Sequence, residues 1–105
     1  MVFISGQIGW DDAGRIVSTE LVAQVRQALE NTLAVLAEAG AGPEHVVRMT
    51  WYVTDRAEYL RQQAAIGEAY RELMGRHYPA MAMLIVAGLI ESGAKVEIET
   101  TAVIP

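Results

Sequence analysis

The sequence predicts an α+β fold, a mixed β-sheet with two helices packed on one face. Three observations carry that expectation. Short segments with period-two apolar alternation are separated by two long stretches whose apolar residues recur every three to four positions. Their order, strand, helix, strand, helix, strand, strand, fits within 105 residues, the length of one domain. The penultimate strand is apolar on both faces, more than two helices on one side can cover.

The chain opens on the strand Val2 to Gly9, in which Val2, Ile4 and Gly6 alternate with Phe3, Ser5 and Gln7. A start inside a strand leaves two alternatives: an upstream strand is missing, or this strand is an unprotected edge open to strand addition. Asp11, Asp12, Ala13 and Gly14 supply turn chemistry before Ile16 and Val17. Ser18 or Thr19 is expected to cap a first helix, with Glu20 in its first turn. Leu21, Val25, Ala28, Leu29, Thr32, Leu33 and Leu36 form its buried stripe, and Gly40 stops it.

Pro43 and Glu44 mark a short turn into a strand over Val46 to Thr54, where Val47, Met49, Trp51 and Val53 make one mainly apolar face. A single second helix is expected from about Arg56 to Met74, with a stripe running from Tyr59 through Gln63, Gly67 and Tyr70 to Met74. Gly75 ends it. Ala80 to Leu89 and Ala94 to Ile104 follow as two strands joined across Glu91, Ser92 and Gly93. In the former, Met81, Met83, Ile85 and Ala87 face one way and Ala82, Leu84 and Val86 the other. A symmetric partner subunit is the simplest cover for the second apolar face.

The composition, 52% hydrophobic and 20% charged, is that of a globular chain. A net charge of -5, with basic residues scattered among acidic ones, disfavours a nucleic-acid partner. No apolar run reaches membrane-spanning length and no signal peptide is legible, so the expected setting is the cytoplasm, with no membrane partner. The absence of cysteine removes disulfides, thiol catalysis and thiolate metal sites. His45 and His77 lie far apart in sequence without metal-ligand spacing, and no metal site is expected. Ser5 precedes a glycine but lies in no nucleophile elbow, and no glycine-rich phosphate loop is present. Glu97 and Glu99 share one side of the last strand. They form either a solvated strand face or, in a subunit cleft, a site where one carboxylate acts as general base toward water.

Ile4-Ser5-Gly6-Gln7, the helical segment Gln24 to Asn31, Ala39-Gly40 and Val96-Glu97-Ile98-Glu99, in that order, resemble the Rid family, the reactive intermediate deaminases also called YjgF proteins. The resemblance implies a chorismate-mutase-like fold and a homotrimer whose sheets pack inward as a barrel, with small-molecule clefts between subunits. Such a trimer would account for the doubly apolar strand. Active members hydrolyse 2-imino or 2-enamino acids to 2-keto acids and ammonia without a cofactor. By that likeness Glu97 is the catalytic residue that positions water, and Ser5 and Gly6 line the same cleft.

This sequence departs from the pattern in three places. Pro79-Ala80-Met81 carries methionine where active members place an arginine that holds the substrate carboxylate. Ile66-Gly67 lies nearest the place of the family's helix asparagine, and the N-terminal segment with its cleft tyrosine is missing. Loss of the arginine pair costs ~2–5 kcal/mol, roughly a 30- to 5000-fold loss of affinity. Arg48 and Arg76 are read as strand-face and helix-end residues rather than substitutes. Met81, Met83 and Tyr78, with Trp51 nearby, are expected to bind a more apolar or aromatic ligand, core or interface packing being the alternative for all of them. The expected function is imine or enamine hydrolysis on a substrate without the usual carboxylate clamp. The alternative is a non-catalytic metabolite-binding or interaction trimer.

Overall fold

Four strands form one mixed sheet in the computed structural model, which describes residues 1–105. They are β1 (Val2–Ile8), β2 (Val46–Val53), β3 (Ala80–Ile85) and β4 (Val96–Ala102), in the spatial order β1-β4-β2-β3. The helices are α1 (Leu21–Glu38), α2 (Arg56–Arg61) and α3 (Gln63–Met74), and a short 3-10 turn spans Pro43–His45. One sheet face supplies Ile4, Met49, Trp51, Val53, Val96, Ile98 and Ala102 to a core shared with α1 and α3. The opposite face carries Phe3, Arg48, Thr50, Glu97, Glu99 and Thr101, and no element of the chain covers it. Helices on one face only is the expected arrangement.

Local chemistry explains most boundaries. Gly40, at φ 74°, closes α1: its N–H bonds the Ala37 carbonyl while Ala41 N–H reaches back to Leu36 at 2.8 Å. The start of α1 differs from expectation. The Ser18 hydroxyl accepts from Glu20 N–H ahead of the helix, so neither Ser18 nor Thr19 is the cap. One free N–H of the first turn, that of Val22, is bonded instead by the side chain of Gln62 at 3.1 Å.

That same glutamine divides the second helical stretch, expected as one helix, into α2 and α3. With ψ at 11°, Gln62 closes α2 through its N–H to Glu58 and Tyr59 carbonyls while its side chain serves α1 and Glu20. Tertiary hydrogen bonding outweighs helical continuity here.

The sheet departs from the expected alternation in β1. Ile4 pairs with Thr100, but Gln7 pairs with Ile98, so Ser5 and Gly6 form a bulge opposite one residue of β4. Gly6 therefore faces away from Ile4 instead of sharing its side.

The last two strands are not neighbours. β4 inserts between β1 and β2, whereas β3 pairs in parallel with β2 alone and ends at Ile85 rather than Leu89. The crossover through α2 and α3 brings the chain back parallel to β2, as a parallel pair requires. β3 is thus a sheet edge, with Leu84 and Ile85 46% and 50% exposed. Within its own chain only Met83 packs partly against the core, and the other apolar residues of the strand lie open.

Buried polar side chains lock the loop before β4. Gln24, fully buried on α1, donates to the Ser18 and Gly93 carbonyls and accepts from Lys95 N–H, all within 2.9 Å. Lys95 Nζ then meets Glu58 of α2 at 3.0 Å.

Candidate functional site

Two concave places take up five of the six residues singled out from the sequence. The first lies on the helix-free face. The central position of β4 sets Glu97 between Ile8 of β1 and Tyr52 of β2. Its carboxyl rests against the β1 bulge: a Cβ added to Gly6 would lie 2.6 Å from Glu97 Cδ and Oε2. The bulge and the missing side chain at Gly6 are what let the carboxyl lie there. Ser5 is exposed beside Gly6 but, within one chain, lines a separate hollow with Phe3, Glu99 and Thr101 instead of sharing the Glu97 hollow as expected.

A hollow of about 170 Å³ follows, lined by Gly6, Ile8, Trp10, Ile90, Glu91 and Glu97. Asn31 of α1 secures its rim by donating to the Ile8 and Trp10 carbonyls at 3.1 and 3.0 Å. None of the chain's three ion pairs involves Glu97, which leaves a half-buried carboxylate with no cation to neutralise it. Such a group can accept a proton from water bound beside it.

The second place lies on the helix side of the sheet edge. Tyr78, Met81 and Met83 come together with Trp51 of β2 and with α3 around a cleft of about 260 Å³. Met81 and Met83 stand opposite Met49 and Trp51 in register, so their side chains leave the sheet on the face away from Glu97. Tyr78 stacks on Tyr70 with ring centres 5.8 Å apart and planes 18° off parallel. The Tyr70 hydroxyl donates to the His77 carbonyl at 2.8 Å, and His77 Nε2–H donates to the Val46 carbonyl at 2.6 Å. These bonds fix the segment that leads into β3. Burial, and secondarily the neighbouring Tyr78, raise the pKa of Tyr70 above its ordinary value, so it stays a neutral donor.

A single chain therefore divides the predicted set: Ser5, Gly6 and Glu97 on one face, Tyr78, Met81 and Met83 on the other. Histidine takes no part in either group. His45 Nδ1 accepts from Gly42 N–H, and no cluster of three His, Asp or Glu side chains is placed to hold a metal. Arg48 lies on the polar strand face, near Thr50, Glu99 and Thr101. Arg76 is exposed beyond the end of α3 and does not line the cleft.

Sequence reasoning missed Arg71. It lines the cleft from α3, two turns beyond Gln63 and one beyond Gly67, the lattice of one helical face. Its terminal nitrogen lies 3.4 Å from the point where a Gly67 Cβ would sit. The i, i+4, i+8 spacing of Gln63, Gly67 and Arg71 is the signal that places Arg71 on the same helix face.

No helix is long and apolar enough to cross a membrane. Residues 1–104 match the family model described as endoribonuclease L-PSP. The chain is 39% identical over 104 residues to protein DfrA of Myxococcus xanthus, covering 98% of this chain and 76% of that protein. It is 33% identical over 103 residues to the human 2-iminobutanoate/2-iminopropanoate deaminase, covering 97% and 72%. Among solved structures, a Rid-family protein of unknown function from Yersinia pestis, YyfB, superposes with a TM-score of 0.88 at 33% identity, over 98% of this chain and 77% of that one. Escherichia coli TdcF with bound serine gives a TM-score of 0.83 at 34% identity, over 98% and 80%.

Proposed function

The chain belongs to the endoribonuclease L-PSP family, which includes the Rid/YjgF proteins, and from that premise we propose that it is a cytoplasmic, cofactor-free hydrolase of small imines or enamines. The observation that carries this reading is the Glu97 carboxyl, held against Gly6 at the rim of a hollow and paired with no cation.

The chemistry follows from that carboxylate. Glu97 accepts a proton from water as the water oxygen bonds to the imine carbon and solvent protonates the nitrogen, giving a carbinolamine. Protonated Glu97 then returns its proton to the amine, the C–N bond breaks with ammonia leaving, and the hydroxyl proton passes to solvent, which leaves a carbonyl product and an ionised Glu97. An enamine enters the same path once its carbon is protonated. In a homotrimer the Glu97 hollow of one subunit would face the Met81 cleft of the next, which would reunite the two groups that a single chain keeps apart. The open edge of β3 supports such an assembly, since its exposed apolar side chains need a cover.

The family description does not make RNA the favoured substrate. The net charge of -5 and the acidic Glu97 and Glu99 on the open sheet face work against phosphate binding. A second reading, a metabolite-binding trimer without turnover, is favoured by Met81 standing where active members carry arginine.

Freshly generated 2-imino acids, followed by ammonia release, test the proposal. Wild type should accelerate hydrolysis over buffer, and Glu97→Gln should lose about 10²-fold or more. Equal rates for both proteins, no faster than buffer, would reject hydrolysis. Thermal stabilisation by metabolites without turnover would then support the binding reading.

A further inference from the structure

We propose that Arg71 is the anion clamp of the cleft beside β3, and that this cleft takes a small carboxylate with an apolar or aromatic side chain. The assignment rests on the deaminase-like reading only for the chemistry that follows binding.

Four observations converge on it. Of the ten residues lining the cleft, Arg71 alone is charged. It has no carboxylate partner within the chain, whereas the adjacent Glu72 is turned to Arg26 at 2.9 Å. A guanidinium at an apolar wall is a strong site for a carboxylate, because two parallel N–H groups meet two oxygens.

Gly67 supplies the third observation. Glycine inside a helix costs about 1 kcal/mol relative to alanine. Its φ is not positive, so this position does not need glycine's backbone freedom. What the missing Cβ provides is bare helix surface beside the Arg71 guanidinium, which lies 3.4 Å from where that carbon would be.

The fourth is the character of the remaining wall. Met81, Met83, Trp51 and the Tyr70–Tyr78 stack offer polarizable and aromatic surface with no second charge. Moving the cation from the strand to the helix leaves Met81 as part of a side-chain pocket. At about 260 Å³ the cleft lies just below the ~300–1,000 Å³ of sites for drug-sized ligands. A small metabolite is therefore the matching size, its carboxylate toward Arg71 and its tail toward the methionines.

The test uses 4-methyl-2-oxopentanoate, a branched 2-keto acid that binds without needing turnover, and the neutral 4-methyl-2-pentanone. Both are titrated by calorimetry into wild type, Arg71→Gln and Arg71→Lys. Arg71 is exposed, so these variants should keep the wild-type circular dichroism spectrum. The keto acid should bind wild type, weaken roughly 10- to 30-fold in Arg71→Gln and less in Arg71→Lys, which keeps charge without the fork. The neutral ketone should bind wild type and Arg71→Gln alike.

Unchanged keto-acid affinity in Arg71→Gln, no keto-acid binding to wild type, or equal loss of acid and ketone would each overturn the assignment. The two proposals fail separately. Keto-acid binding through Arg71 without imine turnover rejects the hydrolase and keeps the clamp. Imino-acid turnover with an unchanged KM in Arg71→Gln rejects the clamp and keeps the hydrolase.

Discussion

Replacing Gln24 by methionine should cost about 3–4 kcal/mol, although the two side chains are nearly equal in volume. Gln24 is fully buried and holds three backbone groups: the Ser18 carbonyl at 2.8 Å, the Gly93 carbonyl at 2.9 Å and Lys95 N–H at 2.8 Å. Methionine fills the space and satisfies none of them. Ser18 and Gly93 lie near the surface, so their carbonyls can turn to water, each losing about 1 kcal/mol of net hydrogen bonding. Lys95 N–H sits between Ala94, 8% exposed, and Val96, fully buried. It stays dry and unpaired, which adds about 1–2 kcal/mol, the lower half of the ~1–3 kcal/mol range for an orphaned buried group.

Domains of this size have stabilities of about 5–15 kcal/mol, so the loss is a large share of the whole. Urea denaturation followed by circular dichroism, at one fixed protein concentration, measures it. With a slope near 1.5 kcal/mol per molar the midpoint should fall by about 2 M. A loss below about 1 kcal/mol would refute the claim that this side chain pins the loop. The effect should extend to the Glu97 hollow, because Ile90 and Glu91 of the same loop form part of its wall.

Three further outcomes follow from the geometry. Gly6→Ala places a carbon 2.6 Å from the Glu97 carboxyl, which must swing aside; melting temperature should change by only a few degrees while imine hydrolysis drops about 10²-fold, the scale of a ~1 Å misplacement. Tyr70→Phe removes the 2.8 Å bond to the His77 carbonyl and should cost about 1 kcal/mol at neutral pH. Because burial and Tyr78 raise the Tyr70 pKa, the unfolded chain gives up that proton first; wild-type stability should be flat in this respect below pH ~10 and fall above it, and the variant should lose that part of the slope. Gly40→Ala, at φ 74°, should lose about 1–2 kcal/mol in thermal denaturation.

Residue patterns made much of the fold legible. The stripe from Leu21 to Leu36 and the alternation of Met49, Trp51 and Val53 reflect burial against one another, and burial is what a period records. What stayed hidden depends on contacts distant in sequence. The break at Gln62 serves Val22, forty positions away, and the bulge at Ser5 and Gly6 exists only opposite β4. The edge position of β3 follows from where β4 inserts, which no local pattern encodes. Glu97, Ser5 and Gly6 are proposed as site residues through a resemblance whose motif they share. Arg71 belongs to no such motif, and only the shape of the cleft draws attention to it.

The place of β4 in the sheet also sets an order of assembly. β1 and β2 each pair with β4, and Val2 opposes Ala102 across nearly the whole chain. On a ribosome moving at ~5–20 residues per second, β1 waits several seconds for its partner strand. Until Val96–Ala102 emerges, α1 has no complete sheet to pack on, and helices of 18, 6 and 12 residues take most of their stability from such packing, so helices and sheet consolidate together at the end. Contacts so distant in sequence place folding toward the slow end for domains of this size, and the waiting strands are the species that a chaperone would meet.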